Sequence, residues 1–173
     1  MAKKRISLRE FQESLVRRLA EARTGDRRTL LGVQAGDDNW LIDLTDTGEI
    51  LPVPPLVPVP LTHDWFRGIA NVRGTLYGVL DFSSFHRGNP IVPVGQARLL
   101  LLGARHGVNS ALLVSRASGL RSLDDFEPES GPADERAWVG QRLRDMQNRL
   151  WLRLNVRGLL AHPRFLDAGM EQA

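Results

Sequence analysis

The sequence predicts a mainly β protein, built either as two small β lobes or as one split barrel. Two observations support this fold class. Apolar residues either alternate with polar ones or form short continuous runs, and turn-forming residues separate these segments. Few stretches have helical periodicity, and those few do not alternate with the strands, so a β-α-β order is not expected.

The composition is that of a globular chain, with 173 residues of which 42% are hydrophobic and 25% charged. No apolar run is long enough to span a membrane, and the N-terminus lacks the apolar stretch of a secretory signal. Because the sequence has no cysteine, disulfides and thiolate zinc sites are excluded. A reducing compartment, by default the cytoplasm, is therefore expected.

The positive charge is concentrated at the N-terminus. Residues 1–28 carry nine Lys/Arg and four Asp/Glu, whereas the remainder carries fourteen and sixteen, so the balances are +5 and −2. A basic arm thus precedes a slightly acidic body that is poor in aromatic residues, which disfavours nucleic-acid binding by the body. A small β-barrel nucleic-acid-binding protein that uses the basic arm remains the alternative function.

The first predicted element is an amphipathic helix over residues 7–24. Ser7 and Glu10 form a capping box, and Gly25 ends the helix. Apolar residues recur on one face: Phe11, Leu15, Leu19 and Ala22. A surface helix that packs on the body is favoured over a helix dedicated to a partner.

The next segment predicts a β-hairpin followed by an extended crossing. Apolar and polar residues alternate within residues 31–44, on both sides of a turn at residues 36–39. A second turn at residues 46–48 leads into Glu49-Ile50-Leu51. Residues 52–60, PVPPLVPVP, cannot form a central strand because prolines lack the ladder donor. The interleaved Val and Leu favour an extended crossing over the core, and a PxxP ligand for an SH3 domain is the alternative.

The middle of the chain predicts a second hairpin and two buried strands. Thr62 or Asp64 caps a short helical turn that carries Trp65 and Phe66 and ends at Gly68. Strands over residues 69–72 and 75–82 meet at Arg73-Gly74, and Gly-Asn-Pro at residues 88–90 could mark a boundary between lobes. Residues 99–102 and 111–114 are buried strands around a loop at residues 105–107.

The C-terminal third predicts an acidic loop, a helix, a strand and a last helical turn. Residues 124–135 contain six carboxylates and read as an exposed loop. Residues 134–148 suit a helix whose apolar residues face inward: Trp138, Val139, Leu143 and Met146. Leucine recurs at every second position of residues 150–154, which predicts a strand. Residues 156–161 begin a helical turn that Pro163 ends.

Motifs for catalysis or metal binding are not found. The four histidines, at positions 63, 86, 106 and 162, include no i, i+4 pair, and nucleophile-elbow and phosphate-loop patterns do not occur. His63-Asp64 is better explained as a surface pair than as a base with its orienting carboxylate, and Asp81 as the cap of a strand end. The sequence therefore predicts neither an enzyme nor a cofactor.

One segment resembles a known family. FRGIANVRGTLYGVLD, residues 66–81, resembles the signature of the CheW-like family, in which Gly leads to Asn-apolar-Arg-Gly and an apolar strand closes on Asp. The matching positions are Phe66, Gly68, Ile69, Asn71, Val72, Arg73, Gly74, Val79, Leu80 and Asp81. The hairpin at residues 31–44, the Glu49-Ile50 pair, residues 108–123 and residues 150–160 agree in order, so the match spans residues 29 to 161.

The resemblance implies two intertwined, five-stranded, SH3-like β-barrel lobes around a shared core, without catalytic activity. Members of this family are adaptors that couple the cytoplasmic tip of a methyl-accepting chemoreceptor to a CheA-type histidine kinase. The proline-rich crossing, the Ala-Asn-Val-Arg-Gly sequence and the HPRFL tail resemble the branch that serves type IV pilus twitching motility. The implied location is cytoplasmic, with recruitment to membrane-associated receptor arrays.

The resemblance also implies a domain organisation and a partner surface. Residues 1–28 would be a helical extension, residues 29–161 the CheW-like domain and residues 162–173 a tail. The implied partner-binding residues are Glu49, Gly68, Asn71, Arg73 and Gly74.

Within that surface, we expect the turn to hold Arg73 in place and Glu49 to be its carboxylate partner. We expect Arg67 to be only a solvated neighbour. The sequence departs from the family pattern at Ser115-Arg116, after the strand of the second lobe, where Asp is common.

Overall fold

The computed structural model describes residues 29–169 together with Gln12 and Val16. Gln12 and Val16 are helical and exposed. Otherwise the predicted helix over residues 7–24 lies outside the described residues.

Residues 29–169 contain twelve strands and two short α-helices. The strands are β1 (Thr29–Ala35), β2 (Asp38–Asp43), β3 (Thr47–Pro52), β4 (Leu56–Val57), β5 (Phe66–Val72), β6 (Thr75–Asp81), β7 (Arg98–Leu102), β8 (Ser110–Val114), β9 (Arg116–Ser122), β10 (Phe126–Pro128), β11 (Val139–Asp145) and β12 (Leu150–Leu154). The helices are α1 (Val156–Ala161) and α2 (Pro163–Leu166). Both predicted hairpins, the two buried strands of the middle segment and the final strand and helical turn are confirmed.

The strands form two sheets whose strands interleave along the chain. The terminal lobe has the order β10-β11-β12-β2-β1-β9, and the central lobe has the order β3-β7-β8-β6-β5-β4. The first hairpin therefore pairs with strands from the end of the chain, which makes the lobes intertwined. The predicted lobe boundary at residues 88–90 is wrong, because these residues connect β6 to β7 within the central lobe.

The mainly β, two-lobe fold class is confirmed, with one difference in detail. Each sheet has six strands rather than five within the described part of the chain. Two of the four outermost strands, β4 and β10, are only two and three residues long. Short edge strands of this kind limit pairing with other chains.

The hydrophobic core is shared between the lobes. Its larger cluster includes Trp40 and Ile42 from the terminal lobe and Leu99 and Leu112 from the central lobe. A second cluster lies within the terminal lobe and consists of Leu30, Leu41, Phe126, Leu143 and Trp151. Because neighbouring residues of a strand point to opposite faces, the β1–β2 hairpin contributes apolar residues to both clusters.

The helix predicted over residues 134–148 is wrong, because residues 139–145 form β11, which pairs with β12. Trp138 and Leu143 are buried as predicted, but Met146 lies at the hairpin tip with 86% of its surface exposed. The helical turn predicted to end at Gly68 is also wrong, since β5 already begins at Phe66.

The proline-rich segment is an extended crossing at the edge of the central lobe, as predicted. Leu56 and Val57 form β4 and pair with Ala70 and Ile69 of β5. Val53 and Leu56 pack against the larger core cluster. The acidic segment after β9 is mostly loop, but it includes the short strand β10.

Candidate functional site

The candidate site is built around the tight turn between β5 and β6. Arg73 and Gly74 are its two central residues, and both have positive φ angles, of 50° and 86°. Two consecutive positive φ angles are typical of the two-residue turns that join antiparallel strands. Asn71 strengthens the turn, because its Oδ1 accepts a hydrogen bond of 2.8 Å from the Gly74 backbone N–H.

Arg73 forms a bidentate ion pair with Glu49, as predicted. Arg73 Nη1 donates to Glu49 Oε1 at 3.1 Å, and Nη2 donates to Oε2. Glu49 belongs to β3, which lies at the opposite end of the central sheet from β4 and β5. The pair therefore joins two elements that are distant in the strand order.

The Arg73–Glu49 pair is charged and exposed. The side chains are 71% and 42% exposed, respectively. The hydrogen bond from Arg73 lowers the pKa of Glu49, and the same bond raises the pKa of Arg73. A solvent-exposed pair contributes little to stability, so its main effect is to fix the direction of the guanidinium group.

Leu76 is an apolar neighbour of this site that the sequence did not identify. It lies directly opposite Asn71 in the strand register and is 58% exposed. Side chains of directly paired residues share a face of the sheet. The turn at residues 73–74 fixes this register, so the polar Asn71 could have indicated that Leu76 faces solvent.

Gly68 does not lie with the other four predicted site residues. It is buried in β5 with a φ of 112°, and a Cβ atom there would overlap the backbone carbonyl of Val57. Gly68 thus allows β4 to approach β5 closely. The structure brings Glu49, Asn71, Arg73 and Gly74 together. Gly68 lies elsewhere on β5, against the edge strand β4.

The expectation that Arg67 is a solvated neighbour is wrong. Arg67 Nη1 donates to Asp81 Oδ2 and to the Ile91 carbonyl, both at 2.9 Å. Asp81 is completely buried, and it also accepts backbone N–H bonds from Ser83, Ser84 and Ile91. The prediction that Asp81 caps the strand end is confirmed, and Arg67 neutralises its charge.

The cleft that contains both Arg105 and Arg153 is occupied by internal ion pairs. The cleft has a volume of about 400 Å³. Arg153 pairs with Asp43, and Arg105 pairs with Asp46, each at 2.9 Å. The acidic and basic side chains of these two pairs therefore neutralise each other within the cleft.

The residues that depart from the family pattern make internal contacts. Ser115 Oγ accepts a hydrogen bond of 3.0 Å from the Gly36 backbone N–H. Arg116 Nε donates to the Gln34 side chain at 2.8 Å. Both residues therefore tie the start of β9 to the β1–β2 hairpin.

The remaining candidates for a chemical site among residues 29–169 are the histidines and the carboxylates. Among residues 29–169, no group of three or more His, Cys, Asp or Glu side chains could hold a metal ion. His63 stacks on the Trp65 ring at 5.5 Å. None of the helices in the described part is long and apolar enough to cross a membrane.

Comparisons with known proteins agree with this architecture. Residues 29–164 match the family model of the CheW-like domain. Protein PilI of Pseudomonas aeruginosa is 25% identical over 142 residues, which cover 81% of this chain and 79% of PilI. The crystal structure of the scaffolding protein TtCheW from Thermoanaerobacter tengcongensis superposes with a TM-score of 0.63 at 15% identity, over 75% of this chain and 89% of TtCheW. Given the extent of the family match, the chain belongs to the CheW-like domain family.

Proposed function

We propose that this protein is a non-enzymatic adaptor that couples a methyl-accepting chemoreceptor to a CheA-type histidine kinase. Membership of the CheW-like domain family supports the adaptor role. The similarity to Protein PilI supports a pathway that controls type IV pilus twitching motility. The proposed location is the cytoplasm, with recruitment to membrane-associated receptor arrays.

The observation that carries the proposal is the exposed, pre-organised cation on the β5–β6 turn. Arg73 is held by Glu49, and the turn beneath it is held by Asn71. Leu76 adds exposed apolar surface beside this polar group. A fixed cation next to an apolar side chain suits recognition of a protein surface, because little side-chain entropy is lost on binding.

Binding of the full chain to the kinase and to the receptor tip tests the site. Arg73→Glu reverses the charge and places two carboxylates side by side, so we expect affinity for at least one partner to fall about tenfold or more. Arg157→Glu is the matched control, because it makes the same charge change at an exposed position of α1 in the other lobe. Circular dichroism and thermal melting should be nearly unchanged for both variants.

A charge swap separates partner recognition from local structure. The double variant Glu49→Arg, Arg73→Glu can restore the ion pair with its polarity reversed. We expect this variant to keep the wild-type melting temperature and still to bind weakly. Wild-type affinity of the Arg73→Glu variant for both partners would contradict the assignment of the site.

The pathway is tested in cells. In a strain that lacks the gene, the wild-type chain should restore twitching, and Arg73→Glu should not, at equal protein levels. Restored twitching with Arg73→Glu, or a flagellar defect in place of a pilus defect, would contradict the proposed role.

A further inference from the structure

The outer edge of β9 is the open side of the terminal lobe. β9 pairs with β1 along one side and ends the strand order, so no described strand pairs with its other side. Leu120 on this strand is 45% exposed. A seven-residue edge strand with an exposed apolar side chain can pair with another chain unless a segment covers it.

The N-terminal arm, residues 1–28, joins the body beside this edge. Thr29, the first residue of β1, is paired with Ser122, the last residue of β9. Leu120 lies two residues further along β9, about 7 Å from Ser122. The four residues between the predicted helix and β1 can span about 14 Å, so the end of that helix can reach Leu120.

The positive charge of the arm is complementary to the negative charge of the chain that follows β9. Residues 1–28 have a balance of +5, and three of their arginines, at positions 23, 27 and 28, lie closest to β1. The chain that leaves β9 carries Asp125 and Glu127, which are exposed and form no ion pair with another described residue. Arg27 and Arg28 immediately precede Thr29 in the sequence, and Thr29 is paired with Ser122, three residues before Asp125.

We propose that the arm docks on its own body along the edge of β9. Its arginines lie near Asp125 and Glu127, and its apolar face, formed by Phe11, Leu15, Leu19 and Ala22, covers Leu120. Docking within one chain is favoured because the short connection gives the arm a high effective concentration. The arm is thus an intramolecular cap that keeps β9 from pairing with other chains, and this role does not rest on the proposed adaptor function.

The experiment measures the distance between the arm and β9 in the full-length protein. Because the chain has no cysteine, Val16→Cys and Ala117→Cys provide two spin-label sites, both exposed. We expect pulsed electron paramagnetic resonance to give a narrow distance distribution. At about 1 M NaCl, where the Debye length is about 3 Å, the distribution should broaden as the arm is released.

Two charge-reversal variants locate the contact. Asp125→Lys with Glu127→Lys should broaden the distribution even at low salt. The matched control, Asp37→Lys with Glu135→Lys, makes the same charge change at exposed positions elsewhere and should leave the distribution narrow.

Three results would overturn the proposal. A broad distribution in the wild-type background would show that the arm does not dock. Equal broadening in both charge-reversal variants would show that the acidic residues after β9 are not its site. A dipolar signal between singly labelled copies, mixed with each other, would show that the arm binds a second chain.

Discussion

Arg67 and Arg73 have the same local sequence, an arginine followed by glycine in an apolar segment, but opposite environments. Arg67 is 25% exposed and neutralises a buried carboxylate, whereas Arg73 is 71% exposed and pairs with a surface carboxylate. The difference arises from Asp81, fourteen residues after Arg67, and from Glu49 on a distant strand. Burial depends on these long-range neighbours and not on the Arg-Gly pair itself.

Because of this contrast, replacing arginine by methionine should destabilise the protein at position 67 but not at position 73. Arg67→Met leaves the completely buried charge of Asp81 without its cation, so we expect a loss of about 3–5 kcal/mol in the free energy of unfolding. Arg73→Met removes an exposed pair and should leave the denaturation midpoint unchanged within error. Urea denaturation of both variants at neutral pH makes the comparison. Equal midpoints would mean that Arg67 does not compensate Asp81.

At the scale of elements, local turn chemistry was more informative than side-chain periodicity. The turns predicted at residues 36–39 and 73–74 indicated two hairpins that the structure contains, although the first turn is shorter because β2 begins at Asp38. The spacing of Val139 and Leu143 misled the helix prediction, because four residues fit one helical turn and also two strand repeats. Pairing of β11 with β12 satisfies the backbone instead.

The candidate site was predictable only where a resemblance or a turn fixed it. Arg73, Glu49 and the turn followed from the family signature and from the Arg-Gly sequence. The Arg67–Asp81 pair did not follow, because it depends on which side chains share a face in the folded sheet. Leu76 was overlooked, although the turn and the polar Asn71 opposite it indicate that it faces solvent. The parallel pairing of β12 with β2 joins residues more than 100 positions apart and has no local signal.

Replacing Gly68 or Gly74 by alanine should lower the free energy of unfolding by unequal amounts. Gly68 and Gly74 both have positive φ angles, of 112° and 86°, so alanine is strained at either position. At Gly74 no atom of the described residues lies within 4 Å of the added methyl group, and we expect a loss of about 1 kcal/mol. At Gly68 the methyl group also meets the Val57 backbone, and we expect roughly 3 kcal/mol or more.

Thermal unfolding of the two alanine variants measures this difference. Alanine carries backbone strain at both positions, and at Gly68 the overlap with the Val57 backbone adds to it, so the larger loss there reports the close approach of β4 to β5. If Gly74→Ala is as destabilising as Gly68→Ala, then β4 does not pack on β5 as described.

At the scale of the whole molecule, aromatic residues join the two lobes around His86. This residue follows β6 of the central lobe, and its ring stacks on Trp40 of the terminal lobe at 4.9 Å. Trp138 Nε1–H donates to His86 Nε2 at 2.8 Å, so Nε2 carries no proton. His86 Nδ1 then donates to the Phe82 carbonyl at 2.5 Å. The junction therefore requires a neutral imidazole.

The C-terminal segment provides a second link between the lobes. The Ala168 carbonyl accepts a hydrogen bond of 2.9 Å from the His63 backbone N–H, and Thr62 pairs with Gly169. Phe165 and Ala168 pack against the larger core cluster. Residues 162–169, which belong to the predicted C-terminal tail of residues 162–173, thus pack against the body.

The neutral imidazole at the junction predicts how stability depends on pH. Burial lowers the pKa of His86 to about 4, the Phe82 carbonyl opposes this shift, and the positive charges of Arg136 and Arg164 add to it. In the unfolded chain the pKa of histidine is about 6.5. Above pH 6.5 both states are neutral and this residue contributes no pH dependence. Between pH 6.5 and pH 4 only the unfolded chain binds the proton, so the free energy of unfolding falls, by about 3 kcal/mol in all.

Urea denaturation between pH 4 and pH 7 tests this link between the lobes. His86→Gln removes the titrating group, so the variant should be less stable than the wild type at pH 7 but should lose less stability as the pH falls. His63→Gln, which changes an exposed histidine, should retain the wild-type pH dependence. If His86→Gln keeps the full wild-type slope, the imidazole is not held neutral between Trp40 and Trp138. In that case the lobes would be joined by their shared apolar core without a requirement for the uncharged ring.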